Sequence, residues 1–298
     1  MSQSIFSGLS AFPLTPADDE GRVDTDGLQR LLDRILKADV QSIGLLGSTG
    51  IYMYLTREER RRAVAAAVES INRKIPVIVG VGALRTDEAQ ALARDAAAEG
   101  ADALLLAPVS YTPLTEEEVF RHFEAVASAT DLPLCIYNNP STTHFSVGPD
   151  LLQRLSGIAQ IQAVKMPLPK DMGFAQEIAG LRTRLPAEFK IGYSGDWGAG
   201  EALLAGADAW YSVVAGLFPA PAAALTKSAC RGHAAEVDYL DKAFSPLWSL
   251  FKAYGSLRVI YAAAAHLGLI SARPPRPILP LAADVMAQIE AAIADLEG

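Results

Sequence analysis

Eight short apolar runs recur along the chain at residues 9–14, 42–46, 77–81, 103–107, 132–137, 161–164, 189–193 and 209–214, with helical periodicity between them. No other feature restricts the fold as much. The runs are nearly continuous in apolar side chains rather than alternating, as expected of parallel strands covered on both faces. Eight strand–helix units in about 215 residues predict an α/β fold, a (β/α)8 TIM barrel, whose usual length is about 250 residues. A doubly wound open sheet is the alternative, but no Gly-x-Gly-x-x-Gly follows the first run.

The intervening segments carry helix starts. Asp24 or Thr25 can cap a helix with Leu28, Leu31, Leu32, Ile35 and Leu36 on one face. Thr56 with Glu59 has the spacing of a capping box, Thr86 precedes Asp87 and Glu88, and Thr115 precedes Glu116, Glu117 and Glu118. After Gly216 the strands stop. Residues 219–230, 233–254, 256–267 and 281–296 read as consecutive helices, the last two separated by Arg273-Pro274-Pro275-Arg276-Pro277. The expected organisation is a barrel catalytic domain over residues 1–230 and a C-terminal helical extension over 231–298, packed on the barrel or on a neighbouring subunit.

Composition narrows the class. Half of the residues are hydrophobic, enough for a large core. No apolar run approaches the ~20 residues of a membrane span, and Met1-Ser2-Gln3-Ser4 lacks a basic segment leading into an apolar one, so a cytoplasmic location and no membrane partner are expected. A net charge of −8 argues against nucleic acid. The one basic cluster, Arg57 with Arg60-Arg61-Arg62, is interleaved with Glu58 and Glu59 and reads as a solvated helix face. Cys135 and Cys230 have no metal-ligand spacing, Cys135 reads as a small core residue, and no two of the four histidines stand at ligand spacing, so no metal site is expected.

In such a barrel chemistry belongs to the C-terminal ends of the strands. The second run ends in Gly47-Ser48-Thr49-Gly50, the fifth in Tyr137-Asn138-Asn139-Pro140, the sixth in Lys165 and the seventh in Ser194-Gly195-Asp196. A partly desolvated lysine loses its proton readily, and the free amine attacks a ketone to give an imine. Tyr137 ends the neighbouring strand, about 4.8 Å away, where a phenol can shuttle protons as the imine forms. The Gly-Ser-Thr-Gly turn offers two hydroxyls and close-approaching N–H groups to a carboxylate. Strands two and six face each other across a barrel, so an acid held at Ser48 and Thr49 would present its ketone to Lys165. The bland readings are a capping lysine, a rim tyrosine and an ordinary loop.

These four segments, with Thr15-Pro16, Asp24 and Gly80-Val81-Gly82, resemble in order and spacing the signatures of the dihydrodipicolinate synthase / N-acetylneuraminate lyase family of class I pyruvate-dependent aldolases. The resemblance implies a Schiff-base lyase in which Lys165 forms the imine with pyruvate or a related 2-oxo acid, Tyr137 relays protons, and Gly47, Ser48 and Thr49 hold the carboxylate. It also implies small-molecule partners (a 2-oxo acid and an aldehyde), a homotetramer built as a dimer of dimers, and neither metal nor organic cofactor.

Several positions depart from the family pattern. Ile51 stands where a glutamate usually follows the turn. Thr142 occupies the place of the arginine that binds the aldehyde's carboxylate in dihydrodipicolinate synthases proper, and Thr143-His144 replaces Thr-Gly. The tyrosine donated across the subunit interface falls on Ser110, with Tyr111 beside it, and either Tyr111 or His144 would stand in for it. Tyr211 replaces an aliphatic residue beside the bound acid, where its hydroxyl contacts the acid or its ring fills the barrel. His144 is either an acid/base or carboxylate contact at the mouth, or a cap for the loop. Asp196 either orients substrate hydroxyls or is an exposed loop residue, and His122 reads as helix packing or surface. Met166 and Pro167 follow the lysine where N-acetylneuraminate lyases carry a hydroxylated residue. With Ile51 and Trp197 they suggest a mouth suited to a smaller or more apolar aldehyde than a sugar. Two alternatives stay open: dihydrodipicolinate synthase proper, acting on aspartate semialdehyde, and a non-catalytic regulator that binds a 2-oxo acid.

Overall fold

The computed structural model describes residues 4–296. Eight parallel strands close into one barrel in chain order: β1 (Gly8–Ala11), β2 (Ser42–Leu45), β3 (Val77–Gly80), β4 (Ala103–Leu106), β5 (Leu134–Tyr137), β6 (Ile161–Met166), β7 (Lys190–Tyr193) and β8 (Ala209–Ser212), with β8 pairing back onto β1. Helices α1 (Thr25–Ile35), α2 (Arg57–Ile71), α3 (Thr86–Ala98) and α4 (Glu116–Ala127) follow the first four strands. The connection after β5 holds two short helices, α5 (Pro140–Thr143) and α6 (Pro149–Leu155). Then come α7 (Phe174–Arg182), α8 (Ala199–Leu204) and α9 (Pro219–Cys230). The chain ends in α10 (Ala234–Tyr254), α11 (Ser256–His266) and α12 (Ala283–Ile293). The (β/α)8 barrel with a C-terminal helical extension is therefore the fold.

The strands are one or two residues shorter than their apolar runs, because the runs continue into the turns. β6 is the exception. Lys165 and Met166 pair with Gly192 and Tyr193 of β7, so the lysine sits inside the strand's last turn of pairing and its backbone is held on both sides.

Two apolar cores result. The larger fills the space between strands and helices; the smaller lies inside the barrel and includes Phe12, Leu105, Cys135, Tyr137, Ala163 and Tyr211. The larger core runs without interruption from the barrel into α10, α11 and α12, and the Tyr261 hydroxyl of α11 donates to the Thr15 carbonyl at 2.8 Å. The extension thus buttresses the segment that follows β1, at the end of the barrel where the strands finish.

Two local expectations need correction, and of the two readings of His122 the packing one holds. Thr56 caps α2 by accepting from the Glu59 N–H, but the Glu59 carboxylate turns to the Val23 N–H and Arg62, so the box is half made. The reciprocal box forms instead at Thr115 and Glu118. Arg57, Arg61 and Arg62 do lie on a solvated face, paired with Asp95, Glu99 and Glu59, whereas Arg60 turns inward. Its guanidinium donates to the Tyr52 and Gly82 carbonyls and stacks over the Tyr52 ring. His122 is buried, its Nδ1 bonded to the Thr86 hydroxyl, and burial lowers its proton affinity.

Candidate active site

Lys165 projects into the barrel near the C-terminal ends of the strands and is only 3% exposed. Burial disfavours the ammonium and pulls its pKa down to about 8, while Cys135 and Asp196 act in the opposite direction. Among the described residues its amine has no hydrogen-bond or ion-pair partner. It is surrounded by rings, with Nζ 3.8 Å from the centre of Phe12, 4.4 Å from Tyr137 and 5.7 Å from Tyr211.

Tyr137 stands opposite Lys165 in the β5–β6 register. Its hydroxyl lies 3.3 Å from Ser48 Oγ and accepts from Asn139 Nδ2 at 3.0 Å. Burial raises the phenol's pKa, partly offset by Ser48, so the group is neutral and can both donate and accept. The Ser48 contact spans the barrel from β2 to β5 and draws together two segments 89 residues apart in sequence.

The turn after β2 is tight. Leu46 and Ile51 adopt left-handed backbone (φ 56° and 51°), the Ile51 N–H donates to the Ser48 carbonyl at 3.2 Å, and a Cβ on Gly50 would come within 2.9 Å of the Leu46 nitrogen. This bend sets Ser48 against Tyr137 and Gly47 against the Phe12 ring, with Thr49 buried and Ser48 half-buried. It also turns the Ile51 side chain into the outer core, 1% exposed, so Ile51 does not line the mouth as expected.

Other predicted residues are placed differently. The Tyr211 hydroxyl meets the Cys135 thiol at 3.5 Å. The Tyr211 ring packs against Gly192, the β7 partner of Lys165, and fills the barrel. His144 has left-handed φ (55°) and is the C-terminal cap of α5; its ring is exposed. The geometry is that of the loop cap. Tyr111 is 96% exposed after β4 and does not reach the lysine of its own chain.

Asp196 overturns both of its readings. It is 3% exposed and accepts from Trp210 Nε1 (2.8 Å), the Val214 N–H (2.8 Å) and the Val213 N–H (3.2 Å). It therefore fixes the loop after β8 rather than meeting solvent or substrate. Burial raises its pKa against these bonds. Asn138 does similar work, exchanging bonds with the Val147 backbone and anchoring the α5–α6 connection. Trp197 is partly exposed beneath Lys252 of α10. Met166 is buried and receives the Asn138 amide on its sulfur at 3.6 Å.

Phe12 and Asn139 are the residues that sequence reasoning passed over. A phenylalanine after an apolar run carries no chemical signal. Asn139 was visible only as part of a motif. Among the described residues no group of three His, Cys, Asp or Glu side chains could hold a metal ion, and no helix is long and apolar enough to cross a membrane.

A barrel that sets a desolvated lysine beside a neutral phenol and a hydroxyl-bearing turn can form an imine with a small 2-oxo acid. A model of the dihydrodipicolinate synthetase family matches residues 5–296. A 4-hydroxy-tetrahydrodipicolinate synthase of Pseudomonas aeruginosa is 34% identical over 244 residues, 82% of each chain. A crystal structure from Agrobacterium tumefaciens str. C58, named a dihydrodipicolinate synthase, superposes with a TM-score of 0.97 at 59% identity, covering 98% of both chains. A chloride-inhibited dihydrodipicolinate synthase from Acinetobacter baumannii, solved with pyruvate, gives a TM-score of 0.90 at 28% identity over 98% of this chain and 99% of its own.

Proposed function

The chain belongs to the dihydrodipicolinate synthetase family of Schiff-base lyases, and from that premise we propose that Lys165 forms an imine with pyruvate, Tyr137 relays the protons, and Gly47, Ser48 and Thr49 receive the pyruvate carboxylate. The observation that carries this reading is the Tyr137 hydroxyl, which bonds Ser48 while its ring stands beside Lys165.

The steps follow from the groups present. The neutral Lys165 amine adds to the ketone carbon, and the ketone oxygen takes a proton from Tyr137 as the ammonium gives one up. A second proton transfer expels that oxygen as water and leaves the protonated imine. Loss of a proton from the adjacent carbon gives the enamine, whose carbon attacks an aldehyde. In the cleavage direction the order reverses. Removing water from a site this buried strengthens each of these electrostatic contacts.

The acceptor is a smaller or more apolar aldehyde. Thr142 is exposed and its hydroxyl points back to the Asn139 carbonyl at 3.3 Å, so it offers no charge-assisted hold on a second carboxylate. The second reading is 4-hydroxy-tetrahydrodipicolinate synthesis from aspartate semialdehyde, favoured by the names of the similar proteins. No metal or organic cofactor enters either scheme. The partners are small molecules, the location cytoplasmic and the assembly a homotetramer, in which the exposed Tyr111 would be covered by a neighbouring subunit.

Two measurements test this. Exchange of the pyruvate methyl protons for deuterium reports the enamine without any aldehyde, and none is expected from Lys165→Ala. An aldehyde screen then decides the acceptor. Best activity on sialic acid or on aspartate semialdehyde would overturn the smaller-aldehyde assignment while leaving the imine in place.

A further inference from the structure

Phe12 is the aromatic ring nearest to the Lys165 amine, and its position is fixed from every side. It directly follows β1, and its N–H donates to the Ser212 carbonyl at the end of β8, at 2.8 Å. Its own carbonyl lies against Gly216, where an added Cβ would come within 2.7 Å of it. The ring rests on the bare backbone of β2 and the turn beyond. A Cβ on Gly44 would collide with the ring, and one on Gly47 would come within 2.8 Å of it. Tyr211 meets the ring edge-on at 6.0 Å and 83°. Phe12 is 2% exposed, so the ring has no freedom to swing away from the amine 3.8 Å above it.

The charged and titratable groups facing Lys165 leave the ring a distinct role. From β5 come Tyr137 and Cys135, and from β8 comes Tyr211. Burial pushes both phenols up and the thiol up to about 12, so all three are neutral where the amine titrates. Asp196 acts from the loop after β7, but its oxygens are engaged by Trp210, Val213 and Val214. Among the described residues no carboxylate touches the ammonium. The negative face of a ring is then its closest stabilising contact, and such contacts strengthen when water is excluded.

We propose that Phe12 is a positioning residue for the Schiff-base lysine: its ring face holds the ammonium in place and sets the pH at which the free amine appears. A carboxylate in that position would pin the ammonium too strongly for it to release its proton near neutrality. A wholly aliphatic wall would offer the charge nothing. The ring gives a hold of intermediate strength, and Gly44 and Gly47 leave the space that admits it. This inference rests on Lys165 being the imine-forming residue.

The test is the pH dependence of imine formation. Protein and pyruvate are mixed across the neutral and alkaline range, aliquots are quenched into borohydride, and the adduct is read by intact mass. Phe12→Leu keeps an apolar side chain over Gly44 and Gly47 but removes the ring face. Replacement of Phe12 by 3,5-difluorophenylalanine keeps the ring's outline and withdraws charge from its face. With the face lost or weakened the ammonium is less stable, so the free amine appears at lower pH. The midpoint of the unsubstituted chain is expected near pH 8. The leucine variant should fall about one unit lower, a tenfold change in the ionisation constant, and the difluoro variant should move the same way by less. A lower midpoint in either variant supports the assignment, and an unmoved or raised midpoint in both overturns it. Absence of adduct from the unsubstituted chain is a different failure: it removes the imine assignment of Lys165, and the role of Phe12 with it.

Discussion

Tyr137 and Lys165 occupy partnered positions on β5 and β6, and the lysine amine lies 4.4 Å from the centre of the tyrosine ring. Parallel pairing fixes this relationship through the backbone, so neither side chain depends on a mobile loop for its place. The tyrosine hydroxyl continues across the barrel to Ser48, which ties the proposed proton relay to the turn proposed to receive the acid.

Removing that hydroxyl should slow the chemistry and spare the fold. Tyr137→Phe keeps the ring beside the lysine and loses the bonds to Ser48 and Asn139. Deuterium exchange into pyruvate is expected to fall by about 100- to 10,000-fold, the range of a general acid–base catalyst. A loss smaller than threefold would assign the relay to another group.

The turn after β2 should govern affinity. In a Ser48→Ala, Thr49→Val double variant the carboxylate loses two hydroxyl donors, each hydrogen bond to a charge contributing about 1.5–3 kcal/mol. The pyruvate concentration giving half-maximal adduct should rise by at least about tenfold. Unchanged half-saturation would place the carboxylate elsewhere.

Lys165 should weaken the folded state. Its folded pKa of about 8 lies below the ordinary 10.5, so the unfolded chain binds more protons between those values and stability rises with pH across that window. Below it the cost of the buried ammonium is fully present, roughly 3 kcal/mol for such a shift. Lys165→Met should therefore unfold at higher denaturant concentration than the parent at pH 7, with the gain shrinking towards pH 10.5. A variant less stable than the parent at neutral pH would contradict this.

Asp196 should matter to the fold more than to the imine. Asp196→Ala leaves the Trp210 indole and the Val213 and Val214 N–H groups without their acceptor. A loss of about 3 kcal/mol or more in denaturant unfolding is expected, since each buried donor left unpaired costs about 1–3 kcal/mol. A change below about 1 kcal/mol would mean that water replaces the carboxylate.

Much of this molecule can be read from its sequence because the deciding features are local. The short apolar runs, the threonine caps and the residues at strand ends need no knowledge of distant neighbours, and they led to the barrel, to Lys165 and Tyr137, and to the Ser48–Thr49 turn. What escaped depends on pairing across the chain. Asp196 is understood only once Trp210 and Val214 are seen around it, and Arg60 only with the Gly82 carbonyl in place. Tyr211 is turned to the barrel interior by a partner, Cys135, that lies 76 residues away in sequence. Ile51 has the position of a mouth residue, yet a left-handed backbone turns it into the outer core. Phe12 gave no sign of itself beyond its apolar character.

The central claim is that Lys165 carries the imine. The protein should be incubated with pyruvate, reduced with borohydride and weighed intact, beside Lys165→Ala. One pyruvate-sized adduct per chain, absent from the variant, is the predicted result. An adduct that persists in Lys165→Ala, or none from pyruvate or any other 2-oxo acid in the parent, would contradict it.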